Sequence, residues 1–254
     1  MKAKHKVLST KKLEPSLVQQ ASERGIEIVE KEFINIQPIW TRETGERIIE
    51  LAKSRKQYAV LTSANAVDML GQYMKQGDTY YVINWRIFCL SGKTKQAILN
   101  NRDIENNIVA EAANATELAE EIIKHGAQEV IFFCGNKRRD ELPFKLKEAG
   151  VLVHEIVLYE TVGIPTKIEE DFEAVLFFSP SAVQSFFAVN HLDKETVCFS
   201  IGVTTQKSLK TFTQNRISTS LAPTQEDLLN EVIDYFETGI LEQDNDDEAS
   251  ELKT

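Results

Sequence analysis

Apolar and polar positions follow two rhythms along this chain, and the rhythms take turns. Short apolar runs at 7–9, 26–33, 58–62, 86–90, 107–109, 130–133, 151–159, 174–178, 197–201 and 217–220 predict strands. Between them, apolar residues recur at helical spacing. Leu17, Val18 and Ala21 do so in 14–24, a run that stops at Gly25, a helix C-terminal signal. Further helices are predicted at about 43–53, 65–75, 94–101, 116–125, 139–149, 181–189, 205–213 and 225–236. Strand and helix alternating at this pitch define an α/β fold with parallel sheets covered on both faces, where ligands sit beyond the carboxyl ends of strands.

The pattern also repeats, in shuffled order. Ala59-Val60-Leu61-Thr62-Ser63-Ala64-Asn65 is echoed by Ala174-Val175-Leu176-Phe177-Phe178-Ser179-Pro180-Ser181. Each copy leads to Gly-x-Thr-x-Gln, at Gly92, Thr94, Gln96 and at Gly202, Thr204, Gln206. Each then reaches a further helix start, Ala115-Thr116-Glu117 and Pro223-Thr224-Gln225. A fourth unit opens the chain in one copy, with Thr10 fifteen residues before Gly25, and closes the other, with Gly135 fifteen residues before Gly150. Residues 1–37 must then join 165–237 as one discontinuous α/β domain, and 41–160 form a second, similar domain inserted into it. Residues 38–40 and 161–164 are the linkers. Two similar domains joined twice imply a cleft for a small ligand.

Composition narrows the class of ligand. The chain has 254 residues and a formal net charge of −10, which argues against a general nucleic-acid binder but not against a small anion held locally. Residues 238–254 are acidic and almost without apolar positions, and are expected to be a disordered tail. The three cysteines, Cys89, Cys134 and Cys198, lie in apolar runs and suit buried thiols in a reducing compartment. His5, His125, His154 and His191 are scattered, with no zinc spacing, and no metal or organic cofactor is expected. With no apolar run of about 18 residues and no signal-like start, a cytoplasmic protein is expected, by default a monomer.

The repeated turns carry the candidate chemistry. Ser179-Pro180-Ser181 is a helix start with Ser179 as cap, and Ser63-Ala64-Asn65 matches it. Gly92 with Thr94, and Gly202 with Thr204 and Thr205, are glycine turns into helices; Thr116 and Thr224 open two more. Helix starts present unpaired N–H groups and partial positive charge, so they attract carboxylates and phosphates. Lys11 and Lys12 flank one copy of the fourth unit, and Lys137, Arg138 and Arg139 the other. No Walker or dinucleotide fingerprint occurs.

Gly135-Asn136-Lys137-Arg138-Arg139-Asp140-Glu141-Leu142-Pro143, then Val157-Leu158-Tyr159-Glu160-Thr161, resembles a stretch of the uroporphyrinogen-III synthase family. The resemblance extends to Phe177-Phe178-Ser179-Pro180-Ser181, Ile201-Gly202-Val203-Thr204-Thr205 and Leu61-Thr62-Ser63-Ala64-Asn65, over about residues 6–236. It implies two α/β domains joined by a two-stranded linker. It also implies cyclisation of hydroxymethylbilane, a linear polycarboxylate tetrapyrrole, to uroporphyrinogen III with inversion of ring D and loss of water. The implied path runs through an azafulvene and a spiro-pyrrolenine. Tyr159 matches the family's tyrosine near the cleft and is the expected catalytic residue. Thr10, Lys11, Ser63, Asn65, Gly92, Thr94, Thr116, Gly135, Asn136, Arg139, Ser179, Ser181, Gly202, Thr204, Thr205 and Thr224 are the expected substrate contacts, many through backbone N–H. Lys95 stands where many members have threonine, and Asn65 where some have arginine. Hydroxymethylbilane synthase is the implied supplier of substrate. The alternative is a non-catalytic two-lobed protein, derived from this fold, that binds an anionic ligand or regulates a partner.

Overall fold

The computed structural model describes residues 4–39, 41–52, 58–76, 85–101, 104 and 107–241. In chain order they form β1 (His5–Ser9), α1 (Pro15–Glu23), β2 (Ile26–Glu30), β3 (Ile34–Pro38), α2 (Arg42–Ala52), β4 (Tyr58–Leu61), α3 (Ala64–Gln76), β5 (Arg86–Leu90), α4 (Lys93–Asn100), β6 (Ile108–Ala112), α5 (Ala115–Lys124), β7 (Glu129–Gly135), α6 (Glu141–Glu148), β8 (Leu152–Gly163), β9 (Ala174–Phe177), α7 (Pro180–Phe187), β10 (Val197–Ser200), α8 (Val203–Leu209), β11 (Ile217–Thr219) and α9 (Gln225–Thr238).

The chain divides into two compact units. Unit 1 is Met1–Asn35 with Val162–Thr254, and unit 2 is Ile36–Thr161. The sheet of unit 1 has the order β2-β1-β9-β10-β11, and that of unit 2 β3-β8-β7-β4-β5-β6. Without β3, the two orders are the same scheme with the chain cut at a different point. β1 takes the place of β7, β9 of β4, β10 of β5 and β11 of β6. These pairings are parallel in both sheets.

Burial explains the continuous apolar strands. In unit 1, Val7 packs into a cluster with Leu228 and Val232 on one face, and Leu8 into a cluster with Val183 and Phe186 on the other. In unit 2, Leu61 faces Leu70 and Ile98, while Val60 faces Leu118 and Leu146. A strand buried on both faces has no polar alternation to show.

Two expectations change. The run 26–33 is not one strand. Pairing of β1 with β2 ends at Glu30, Lys31 N–H donates to Ser9 O, Phe33 turns into the core, and a separate β3 begins at Ile34. The expected linker 161–164 lies at the end of β8, which runs on to Gly163. Ile39 N–H donates to Leu158 O and Ile164 N–H to Phe33 O, so β3 runs antiparallel to β8 and the two crossings form one ribbon. The chain also stays ordered past 238. Gly239 caps α9 in the left-handed region (φ 74), and Leu241 is buried beside that helix. The acidic stretch 242–254 lies outside the described residues. No described helix is long and apolar enough to cross a membrane.

Candidate functional site

In unit 2 the strand order reverses between β4 and β7, so connections leave these neighbours in opposite directions and open a crevice at their carboxyl ends. Ser63 follows β4, Gly135 ends β7, and Tyr159 lies on β8. Ser63 Oγ and the Tyr159 hydroxyl are 3.0 Å apart. Gly135 makes room for the tyrosine: a Cβ there would stand 2.4 Å from Tyr159 Cε2 and 2.5 Å from Cζ. Asn136 pins the backbone beyond. Its N–H donates to Tyr159 O (3.0 Å), and its Oδ1 accepts from Thr161 N–H (2.9 Å). Tyr159 is therefore nearly buried (8% exposed) and fixed at both the ring and the chain.

A cavity of about 400 Å³ opens at this edge, lined by Ser63, Tyr159, Lys137, Arg138 and Arg139 among others. Arg138 is anchored by carboxylates: Nε and Nη2 lie 2.6 and 2.5 Å from Glu155 Oε2, and Nη1 donates to Asp140. Burial opposes its charge, but the hydrogen bonds to Asp140 and Glu155 prevail and hold its pKa above the usual guanidinium value. Glu141 accepts from Thr116 Oγ1 at 2.5 Å. Burial pushes the Cys134 thiol up to about 11, so it lines the cavity as a neutral group. Burial likewise raises Cys89 to about 11 and Cys198 to about 12. Among the described residues no group of His, Cys, Asp and Glu is arranged to hold a metal ion.

The structure thus brings Ser63, Gly135, Arg139 and Tyr159 to one cavity, with Asn136 as a backbone anchor beside it. Asn65 lies exposed on the first turn of α3. Gly92 is the N-cap of α4 at φ 72. Thr94 is buried under that helix (6% exposed). Lys95 pairs with Glu111 at 2.8 Å, an ion pair between α4 and β6. Thr116 is not the counterpart of Thr224. The cap of α5 is Asn114, whose Oδ1 accepts from Glu117 N–H while the Glu117 carboxylate reaches back to Ala113 N–H. This reciprocal pattern fixes the helix start one residue earlier than the sequence predicts.

In unit 1, Ser179 caps α7 by accepting from Ala182 N–H, and Thr224 caps α9 by accepting from Asp227 N–H. Ser181, Gly202 and Thr204 lie at the same carboxyl edge, with Thr204 exposed, and Lys11 is exposed just past β1. Thr205 is buried (3%), so its hydroxyl is not presented there. Thr10 is also withdrawn: it is 2% exposed, and its Oγ1 donates to Leu176 O at 2.8 Å. The sheet register explains why. Val7 pairs with Ala174 and Ile131 with Ala59, which makes Thr10 the counterpart of buried Cys134 rather than of Gly135.

The sequence marks Arg138 only as one of a basic run and does not pair Ser63 with Tyr159. The hydroxyl pair spans 96 positions and the Arg138–Glu155 pair 17, distances at which no local pattern operates.

Two permuted parallel α/β units, one with a cationic and hydroxyl-bearing cavity beyond its strand ends, define a two-domain α/β protein of the doubly wound class. Residues 15–230 match the sequence pattern of the family described as Uroporphyrinogen-III synthase HemD. Among solved structures, uroporphyrinogen-III synthetase from Helicobacter pylori is similar, with 16% identity and a TM-score of 0.66 over 90% of this chain and 98% of that one. A mutant uroporphyrinogen III synthase from the extremely thermophilic bacterium Thermus thermophilus is similar too, with 13% identity and a TM-score of 0.61 over 92% and 98%. The chain belongs to the uroporphyrinogen-III synthase family. Its activity is that family's cyclising lyase reaction, from hydroxymethylbilane to uroporphyrinogen III in haem biosynthesis.

Proposed function

We propose that this chain performs the cyclisation chiefly by positioning, with Tyr159 as the proton donor to the departing hydroxyl. The observation that carries this reading is the Ser63–Tyr159 hydroxyl pair, 3.0 Å apart on a cavity wall that also bears Lys137, Arg138 and Arg139. Tyr159 O–H donates to the terminal hydroxyl of the bilane, which leaves as water and creates a protonated azafulvene. Ser63 Oγ–H turns toward the phenolate oxygen as negative charge develops there, a preorganised dipole. The substituted carbon of ring D attacks, the spiro intermediate fragments, and the ring recloses inverted. The proton released on rearomatisation returns to Tyr159, so the balance is substrate to product plus water.

Cations of the unit 2 cavity supply donors for the substrate's carboxylates. Charge-assisted bonds of this kind contribute about 1.5–3 kcal/mol each, and holding the bilane in one geometry supplies the rest. We also read the protein as a cytoplasmic monomer that receives substrate from hydroxymethylbilane synthase. Its three buried, unlinked thiols suit a reducing compartment.

Tyr159→Phe removes one hydroxyl from a packed ring. Turnover of freshly generated hydroxymethylbilane should fall by about a hundredfold, the lower range for a general acid. The melting temperature should stay near wild type, and the uninverted isomer should accumulate by the uncatalysed route. Unchanged turnover would remove Tyr159 from the reaction.

A further inference from the structure

Building on the carboxylate-binding reading of the unit 2 cavity, we propose that Arg138 receives a substrate carboxylate and that Asp140 occupies it until substrate arrives. A guanidinium offers donors along more than one edge. Glu155 takes the Nε/Nη2 edge at 2.6 and 2.5 Å. Glu155 is 23% exposed on β8 and is also 3.8 Å from Lys147, so it is a fixed support. Asp140 takes Nη1, and its side chain is 89% exposed. The two partners of Arg138 therefore differ in kind. One is built into the sheet, and the other is a solvated carboxylate on the residue just before α6, chemically the same group as the acid side chains of the substrate.

Such an exposed ion pair holds weakly. Arg138 itself lines the cavity, whereas Asp140 and Glu155 stand outside its lining. Glu141, the cavity's own carboxylate, accepts from Thr116 and is thus partly occupied. An incoming carboxylate replaces Asp140 at Nη1 and gains the same bond inside a less solvated space. The exchange also selects. A tethered aspartate outcompetes a lone carboxylate from solution, while a polycarboxylate already held by other contacts presents its next acid group at high effective concentration. Asp140 thereby favours molecules with many acid groups, and Glu155 is a positioning residue that aims Arg138.

The test is anaerobic calorimetry with uroporphyrinogen III on Arg138→Gln, Asp140→Asn and the double variant, with Tyr159→Phe turnover measured in parallel. Arg138→Gln should weaken binding about tenfold, the loss of one charge-assisted bond. Asp140→Asn should tighten it about threefold, and that gain should vanish in the Arg138→Gln background. A structural role for Arg138, or a general effect of removing one negative charge, would not produce that dependence. Asp140→Asn without a gain, or with the same gain when Arg138 is absent, overturns the proposal. If Tyr159→Phe still slows turnover in that case, the reading of the site stands and only the Arg138 assignment falls. Should Arg138→Gln not fold, Asp140→Asn is compared with Glu148→Gln, which removes the same charge from the other end of α6; equal gains in the two variants overturn the proposal.

Discussion

In unit 1 the strands that flank the change of direction are β9 and β1; in unit 2 they are β4 and β7. Both crossings place a serine after the first strand and a small buried residue at the end of the second. The chemistry then parts. Ser179 spends its hydroxyl on its own helix, accepting from Ala182 N–H, whereas Ser63 turns its hydroxyl to Tyr159. Val7 pairs with Ile28 and Ile131 with His154, so Ile28 and His154 are equivalent. Pairing with the central strand continues as far as Tyr159 on β8 but stops at Glu30 on β2, and the next aromatic side chain of unit 1, Phe33, lies past the turn. Phe33 is fully buried and has no hydroxyl. Thr10 closes the unit 1 crossing with a bond to Leu176 O, where unit 2 has Cys134. One scaffold used twice has become a packed joint in one unit and a hydroxyl-bearing cavity wall in the other. The difference rests on a few side chains and not on the fold.

The sharpest way to break this contrast is Gly135→Ala. The added methyl meets the Tyr159 ring at 2.4 Å, so the ring must leave its place beside Ser63. Displacement of a catalytic group by about 1 Å costs on the order of a hundredfold in kcat. The overpacking itself should cost about 1–3 kcal/mol of stability. Stopped-flow turnover and thermal melting separate the two effects. In a Tyr159→Phe background the same substitution should slow turnover little further, because the group it displaces has already lost its hydroxyl. A full additional loss would show that Gly135 matters for some reason other than the tyrosine.

Two glycines with equally open surroundings sharpen the comparison next. Neither Gly92 nor Gly202 has a heavy atom within 4 Å of a built Cβ, but Gly92 sits at φ 72 and Gly202 at φ 166, which is extended backbone open to any residue. Gly92→Ala should cost about 1 kcal/mol of stability. Gly202→Ala should cost none, yet raise KM about tenfold if its turn admits a substrate carboxylate to the backbone. A wild-type KM for Gly202→Ala would mean that this turn does not meet the substrate.

Much of this architecture was legible before any coordinates. The alternating rhythms and the displaced fourth unit lead directly to two parallel sheets of permuted order. Where the reading failed, the cause was a feature that apolar content hides. The turn at Lys31 and Glu32 lies in a run whose flanks, Val29 and Phe33, are both apolar, so one strand was expected where two occur. Equating Thr10 with Gly135 counted residues back from a helix-terminal glycine. Sheet register counts along the strand instead, and β7 meets β8 one residue further past its glycine than β1 meets β2. The cap at Asn114 was missed because Thr116 resembles Thr224 in type, although only Asn114 stands three residues before a carboxylate that answers it. The site itself depends on which side chains meet across the sheet, as Ser63 meets Tyr159, and a single sequence carries no record of that.

The smallest expected effect tests the quiet half of the comparison. Thr10→Val keeps the shape of a buried side chain and deletes the hydroxyl that donates to Leu176 O at 2.8 Å. The carbonyl is not orphaned, since Thr10 N–H also donates to it at 3.0 Å. The loss is then one hydrogen bond with no stranded partner, about 0.5–1.5 kcal/mol, which lowers the melting temperature by about 2–4 °C in a chain of this size. Turnover and isomer ratio should match wild type, because the crossing in unit 1 acts as a joint. A fall in kcat with little change in melting temperature would contradict that assignment and return Thr10 to the reacting site, making the two crossings alike in function as well as in fold.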